Sequence, residues 1–125
     1  MQRETRSRAL ALEETEVLRR LLAFDFPGAT ELRDQLPFAL VVGPCACGCV
    51  SVDISVDATR APAAAGAVSP LPVEVEIVGS DGACIGGIIV FLTDGYVSLI
   101  DVHSYGDDPI STWPSMDALT FRARR

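Results

Sequence analysis

The first third of the chain follows a helical pattern of apolar positions. Between residues 9 and 24, Leu and Val side chains recur at spacings of three, four and seven, while Glu and Arg fall mostly on the other side. The acids come early and the arginines late, which suits the helix dipole. Phe26-Pro27-Gly28 ends this pattern, Thr30 can cap a second, short helix over residues 31–36, and Pro37 closes it. The sequence therefore predicts two N-terminal helices.

From Phe38 onward the apolar period changes to two, which is typical of strands. The second strand is the clearest, because Val and Ile alternate with Ser and Asp along it. The fourth is apolar on both faces, which predicts a central strand covered on both sides or nearly so. Asp94-Gly95 is a strong signal for a tight hairpin turn after it. We predict five strands, over residues 38–42, 50–57, 73–77, 85–93 and 96–105.

Chain length and connection length define the expected fold. Short connections favour antiparallel neighbours, apart from residues 58–70, which are rich in Ala, Pro and Gly and predict a loop. The 125 residues are 49% hydrophobic, so we expect a single domain over residues 1–125 with its own core. The predicted class is α+β, with two N-terminal helices packed on one face of an antiparallel, meander-like sheet of about five strands. Residues 1–8 and 122–125 are expected to be flexible.

Charge is unevenly distributed along the chain. There are ten Arg but no Lys and no Asn, and because Lys and Asn have AT-rich codons, this indicates a GC-rich genome such as an actinobacterial one. Residues 9–121 hold four Arg against sixteen Asp and Glu, a net charge of −12. Such an acidic body repels nucleic acid and anionic membranes and favours a basic protein partner. Net negative charge also serves solubility alone, and that alternative stays open.

Nothing in the sequence predicts export or membrane insertion. No apolar run is long enough to span a bilayer, and the N-terminus leads into an acidic helix pattern rather than an apolar signal segment. We therefore expect a cytoplasmic protein. In a reducing compartment, clustered cysteines indicate thiols or metal ligands before disulfides.

The most distinctive motif is Cys45-Ala46-Cys47-Gly48-Cys49. Three thiols could bind a soft metal such as zinc if Cys84 or His103 supplied a fourth ligand. The spacing disfavours this, because structural zinc sites commonly separate paired cysteines by two to four residues. A redox disulfide such as Cys45–Cys49 is another alternative, although the usual Cys-x-x-Cys at a helix N-terminus is absent from the motif. The spacing fits best with small thiols packed in a tight turn between two strands.

His103 is the only histidine, so any Ser-His-Asp or Cys-His site must use it. Asp101 lies two residues away on the same strand face and could orient it, with Ser104 or a cluster cysteine as nucleophile. The sequence contains no Gly-x-Ser-x-Gly motif. Gly86-Gly87 does not lead from a strand into a helix, so it does not indicate a nucleotide site.

The outward acids of the predicted sheet could form a carboxylate patch across neighbouring strands, at Asp53, Asp57, Glu74 and Glu76. A solvated sheet face explains the same residues. Trp113 either packs in the core or anchors an interface. We favour a non-catalytic binding or regulatory protein, in its sharper form an immunity- or inhibitor-like protein acting on a basic partner. The alternatives are a soft-metal protein and an enzyme that uses His103 and Asp101.

Several segments together resemble small uncharacterised actinobacterial proteins. They are Phe24-Asp25-Phe26-Pro27-Gly28-Ala29 with Glu31-Leu32-Arg33, the cysteine cluster with Val52-Asp53, Asp94-Gly95-Tyr96-Val97-Ser98-Leu99, and Ser104-Tyr105-Gly106-Asp107 before Trp113-Pro114. The resemblance spans roughly residues 16–119. It implies the same order of elements and a cytoplasmic location. It implies no activity and no catalytic residue.

Overall fold

A computed structural model of the chain describes residues 7–44 and 49–124. Over these residues the fold is α+β, with two helices and one seven-stranded antiparallel sheet. Short 3₁₀ turns precede the second and the last strand. In chain order the elements are β1 (Arg8–Ala9), α1 (Leu12–Leu21), α2 (Ala29–Gln35), β2 (Ala39–Pro44), β3 (Val52–Val56), β4 (Val73–Val78), β5 (Cys84–Thr93), β6 (Tyr96–Ser104) and β7 (Leu119–Ala123).

The strands lie in the order β1-β2-β3-β6-β5-β4-β7, and all neighbours are antiparallel. The five predicted strands are present, and β1 and β7 are added at the two edges. The meander is only partial: β4, β5 and β6 follow one another, but β3 pairs with β6. Through this pairing, with Val52 opposite Ile100 and Asp53 opposite Leu99, the β1-β2-β3 part joins the β6-β5-β4-β7 part.

The chain ends that we expected to be flexible lie partly in the sheet. Arg8 pairs with Val41 of β2, and Arg122 pairs with Glu74 of β4. These two positions thus have strand partners, in β2 and β4 respectively. Residues 1–6 and Arg125 fall outside the described part of the chain.

The first helix starts later than predicted because β1 occupies the residues before it. The Glu14 side chain is buried, and its carboxylate accepts a hydrogen bond from the Ala11 amide at 2.7 Å. The same carboxylate accepts two hydrogen bonds from the Arg8 guanidinium at 2.9 and 3.0 Å. One buried carboxylate thus fixes the start of α1 and ties β1 to it.

The second helix starts after a glycine rather than after a hydroxyl cap. Gly28 precedes α2 with φ +91°, a left-handed conformation that favours glycine. A Cβ at this position would also lie 2.7 Å from the Ala67 Cβ. Thr30 lies inside the first turn, where its hydroxyl accepts a hydrogen bond from Arg33 at 3.0 Å. Neither helix of the described chain is long and apolar enough to cross a membrane.

The core lies between the helices and one side of the sheet, here called the inner face. The strand register aligns inward side chains across the sheet, with Val41 opposite Ile54 and Ile88 opposite Val102. The buried helix residues that join this cluster are Val17, Leu18, Leu21, Leu22 and Leu32. Burial of these apolar side chains is the main stabilising term of the fold.

The loop over residues 58–70 is present, as predicted, and a buried side chain anchors it. Gln35, at the end of α2, is fully buried. Its Nε2 donates to the carbonyls of Pro62 and Gly95, both at 2.8 Å. Its Oε1 accepts the Val97 amide at 3.1 Å. The side chain therefore joins the helix, the loop and the β5–β6 turn, with its amide hydrogen bonds satisfied.

Candidate functional site

The side of the sheet opposite the helices, here called the outer face, is open to solvent. The outward residues of β5 are Ile85, Gly87, Ile89 and Phe91. Ile85 is 43% exposed, and Ile89 and Phe91 are half-buried. The strand lies inside the sheet, as predicted, but its outer face is only partly covered within the described part of the chain. A contiguous set of exposed apolar side chains on a sheet face commonly marks a contact surface.

Asp101 and His103 lie on the outer face of β6, and the predicted orienting contact between them is present. Nδ1 of His103 lies 3.0 Å from Oδ2 of Asp101. An ionised carboxylate only accepts, so Nδ1–H donates in this pair. The other ring nitrogen lies over Gly87 of β5, where an added Cβ would come within 2.9 Å of it. The missing side chain at Gly87 thus makes room for the imidazole.

A groove of about 320 Å³ lies beside this imidazole. The carboxylates of Glu74 and Glu76 line it, and both already have cationic partners from the C-terminal segment. Arg124 donates to Glu74 at 3.2 Å, and Arg122 forms an ion pair with Glu76. The two glutamates that line this groove are therefore paired with arginines of β7 and the residue after it.

Tyr105 stands at the end of the same groove, next to Cys84. Loss of solvent, followed by the nearby Cys84 and the carboxylates of Glu76 and Glu74, raises the pKa of the Tyr105 phenol. Cys84, at the start of β5, thus contacts Tyr105, which directly follows β6. Ser104, a candidate nucleophile, accepts the Gly106 amide at 3.0 Å and so supports the turn after β6.

Only one member of the cysteine cluster lies in the described part of the chain. Cys49 donates through its thiol to Oγ of Ser51 at 3.2 Å. This buried hydroxyl in turn accepts the Val102 amide at 2.7 Å and donates to the Val102 carbonyl at 3.2 Å. Ser51 thus joins the start of β3 to β6. The contact brings Cys49 to the end of β6 where the histidine lies.

Cys49, Asp101 and His103 line one open groove of about 440 Å³. Cys84 does not line it. Within residues 7–44 and 49–124, no group of three or more His, Cys, Asp and Glu side chains is arranged to hold a metal ion. The predicted ligands Cys45 and Cys47 fall outside the described residues, so the full ligand set remains a prediction.

The acidic residues predicted to bind a partner do not form one patch. A patch across neighbouring strands was one interpretation of these acids, and in the structure β6 and β5 lie between the strands of Asp53 and Glu74. Asp53 is exposed and has no ion pair among the described residues. Asp57, after β3, accepts the hydroxyl and the amide of Thr59 at 2.6 and 3.0 Å, which lowers the pKa of its carboxyl. Trp113 lies on the helical side of the sheet, beside α1.

Sequence reasoning missed a second acidic group next to His103. Asp107 and Asp108 follow β6 and line the same groove as Asp101 and Cys49. The consecutive aspartates directly after a strand were the available signal. Together with Asp53 on the adjacent strand, they give the β3–β6 part of the outer face a negative charge that no arginine of the described chain pairs with.

These features define an α+β protein with an open, partly apolar sheet face that is acidic along β3 and β6. In comparisons with known proteins, no family model, no curated protein and no solved structure matches the chain. Its function is therefore argued from the chemistry of its surfaces.

Proposed function

We propose that the protein is a non-catalytic binding protein whose outer sheet face binds a basic protein partner. The observation that carries this proposal is the composition of β5. Its outward side chains are those of a covered strand, yet the described chain leaves Ile85, Ile89 and Phe91 partly exposed. A partner that covers them would gain the burial of apolar area that the isolated chain lacks.

Charge supports a basic partner rather than a second copy of the chain. The apolar strip along β5 and β6 is flanked by Asp53 and Asp101 and, beyond β6, by Asp107 and Asp108. Residues 9–121 carry a net charge of −12. Two such bodies repel each other, whereas a cationic surface is attracted over the range of a Debye length. An immunity- or inhibitor-like role, in which the face blocks a basic protein, is the specific form that we propose.

The proposal is tested by partner capture with charge-reversal variants. The protein is immobilised, exposed to a lysate of its source cells at low ionic strength, and eluted in steps of salt. We expect a basic protein that elutes earlier from Asp53→Arg and from Asp107→Arg than from the wild type. Reversal of one interface charge should weaken binding by about tenfold, largely through a slower association rate.

The matched control is Asp34→Arg, which makes the same charge change at an exposed position of α2. It should retain the partner as the wild type does. Retention that is independent of salt would contradict the proposal. Equal loss from Asp53→Arg and Asp34→Arg would also contradict it, because the effect would then reflect net charge and not the outer face.

The second candidate is soft-metal binding by the cysteine cluster, with zinc as the example. The observation that favours it is the β3–β6 pairing, which brings Cys49 into the same groove as His103. A thiolate and an imidazole are both ligands that zinc accepts. We propose that Cys45, Cys47 and Cys49 supply the thiolates and His103 the nitrogen, in a cytoplasm that keeps the thiols reduced.

Elemental analysis of protein purified without chelator tests this candidate. One zinc per chain, lost in Cys49→Ser and in His103→Ala but kept in Cys84→Ser, is the expected result. The Cys84→Ser variant is the matched control, because Cys84 lies outside the groove. Metal-free protein with all four thiols accessible to titration would exclude the candidate.

A further inference from the structure

An apolar groove lies on the helical side of the molecule, away from the outer face. It has a volume of about 340 Å³, and Leu12 of α1, Trp113 and Met116 form its apolar lining. Leu12 is 80% exposed, although it stands at the start of a helix whose other leucines are buried. Trp113 and Met116 are half-buried and pack against the core. The groove is thus a preformed apolar site with a rigid aromatic wall.

Carboxylates stand at the edge of this groove. Glu13 and Glu16 of α1 both line it. Glu13 has no ion pair within the described residues, and Glu16 has only a long, exposed one with Arg20 at 3.5 Å. Among the residues that the structure describes, no basic side chain lines the groove. The edge can therefore accept a cationic group from another molecule at little desolvation cost.

We propose that this groove binds a peptide segment of a partner protein in which an aliphatic side chain is flanked by arginine or lysine. The aliphatic side chain packs between Leu12, Trp113 and Met116. The cationic group next to it pairs with Glu13. This site is separate from the outer face, depends on different residues, and does not require the outer-face proposal to be correct.

The chain contains a single Trp, so intrinsic fluorescence reports on this groove directly. The probe is an acetylated and amidated peptide, Gly-Ser-Arg-Leu-Arg-Ser-Gly, titrated into the full chain. We expect a saturable change in Trp113 emission. Replacing the peptide's leucine by serine should abolish the saturable change, and replacing both arginines by glutamates should do the same.

Two variants of the protein localise the binding. Leu12→Ser removes exposed apolar surface, so it should leave the fold intact and weaken peptide binding by about tenfold. Glu13→Gln should weaken it by about two- to fivefold, and only at low salt. The matched control is Leu40→Ser, since Leu40 is 44% exposed on the outer face of β2 rather than in the groove.

Three results would overturn the inference. One is the lack of a saturable emission change with the arginine–leucine peptide. Another is equal affinity of the wild type and Leu12→Ser. The third is equal binding of the serine-substituted peptide, which would show attraction by charge without insertion into the groove. None of these results bears on Asp53 or Asp107, so failure here leaves the outer-face proposal to its own test.

Discussion

Gln35 shows how one buried polar side chain can hold three separate segments. Its amide satisfies the carbonyls of Pro62 and Gly95 and the amide of Val97. The Gly95 carbonyl also accepts the Ala64 amide at 2.9 Å, whereas the Pro62 carbonyl and the Val97 amide would each cost about 1–3 kcal/mol if left without a partner inside the protein. This role could not be predicted from the sequence, because a glutamine at the end of a surface helix is usually solvated.

We expect Gln35→Leu to destabilise the fold by about 2 kcal/mol or more, because the leucine fills the space but leaves the Pro62 carbonyl and the Val97 amide without their partner. Gln35→Glu should also destabilise it, because it can no longer donate to two carbonyls. Urea unfolding followed by circular dichroism measures the difference. The adjacent, exposed Asp34→Ala serves as the control and should change stability by less than about 0.5 kcal/mol. A Gln35→Leu protein as stable as the wild type would contradict this account.

The carboxyl of Asp57 gives a prediction about pH. The Thr59 hydroxyl and then the Thr59 amide stabilise its ionised form and lower its pKa. A carboxyl whose pKa is lower in the folded state contributes stability above its ordinary value, and that contribution is lost as the pH falls through the folded value. Thr59→Val should therefore raise the pKa of Asp57 part of the way back, since the amide remains as a donor.

Titration of the Asp57 carboxyl carbon by NMR measures this change. The control is Thr120→Val, a β7 residue on the far side of the sheet from Asp57. An Asp57 pKa that is the same in Thr59→Val and in the wild type would show that the 2.6 Å hydroxyl contact has no energetic weight.

At the scale of elements, β1 depends on a contact with α1. A two-residue strand has too few backbone hydrogen bonds to persist alone. Its Arg8 is held by the buried Glu14 carboxylate, and the ion pair raises the pKa of the Arg8 guanidinium. We infer that this side-chain contact keeps β1 paired with β2 at the edge of the sheet.

Replacing Glu14 by Gln should cost about 1–2 kcal/mol, a discounted value because half of the Arg8 side chain is exposed. It should also speed hydrogen exchange at the β1 amides. A double-mutant cycle with Arg8→Gln separates the pair from its surroundings. Glu13→Gln, at an exposed position of the same turn, is the control for stability. Additive effects of Glu14→Gln and Arg8→Gln would contradict the coupling.

The elements that followed from sequence are those with local signals. The alternation along β3 and the Asp94-Gly95 turn gave strands and a hairpin, and the turn has the positive φ angles expected of it, +54° and +84°. The same alternation runs through β7, where Leu119 and Phe121 point inward and Thr120 outward. That signal is short and stands beside basic residues, so it does not by itself predict a strand. No local pattern distinguishes a two-residue strand such as β1.

In the candidate site, too, the contacts between residues close in sequence could be predicted and the contacts between distant residues could not. The Asp101–His103 contact followed from the two-residue period of a strand, because alternate side chains share a face. The pairing of Arg122 with Glu76 and the position of Cys49 beside β6 depend on strand order. Strand order is set by contacts between residues far apart in the chain, and a single sequence does not display them.

At the scale of the whole molecule, the acidic body repels itself. Residues 9–121 carry a net charge of −12, while the cationic residues that offset it are concentrated near the two ends of the chain. At an ionic strength of 0.1 M, salt largely screens the repulsion between exposed charges that are more than about 10 Å apart. We expect the melting temperature to rise by a few degrees between low salt and about 0.3 M sodium chloride.

Differential scanning calorimetry at the two salt concentrations measures this effect. A variant with Asp107→Asn and Asp108→Asn should melt higher at low salt and respond less to added salt. A melting temperature that falls as salt is added would mean that attractive surface ion pairs, such as those between Glu74 and Arg124, outweigh the repulsion.

The pairing of β3 with β6 has a consequence for how the chain folds. β4, β5 and β6 are consecutive in the chain and can pair through their short connecting turns. In contrast, β3 pairs with β6 only after a loop that contains both β4 and β5 has closed. Closing such a loop lowers the conformational entropy of the chain before the β3–β6 contacts can stabilise it. We expect β3 and the Ser51 bridge to dock late, so that the speed of folding is set at this junction rather than within the hairpins.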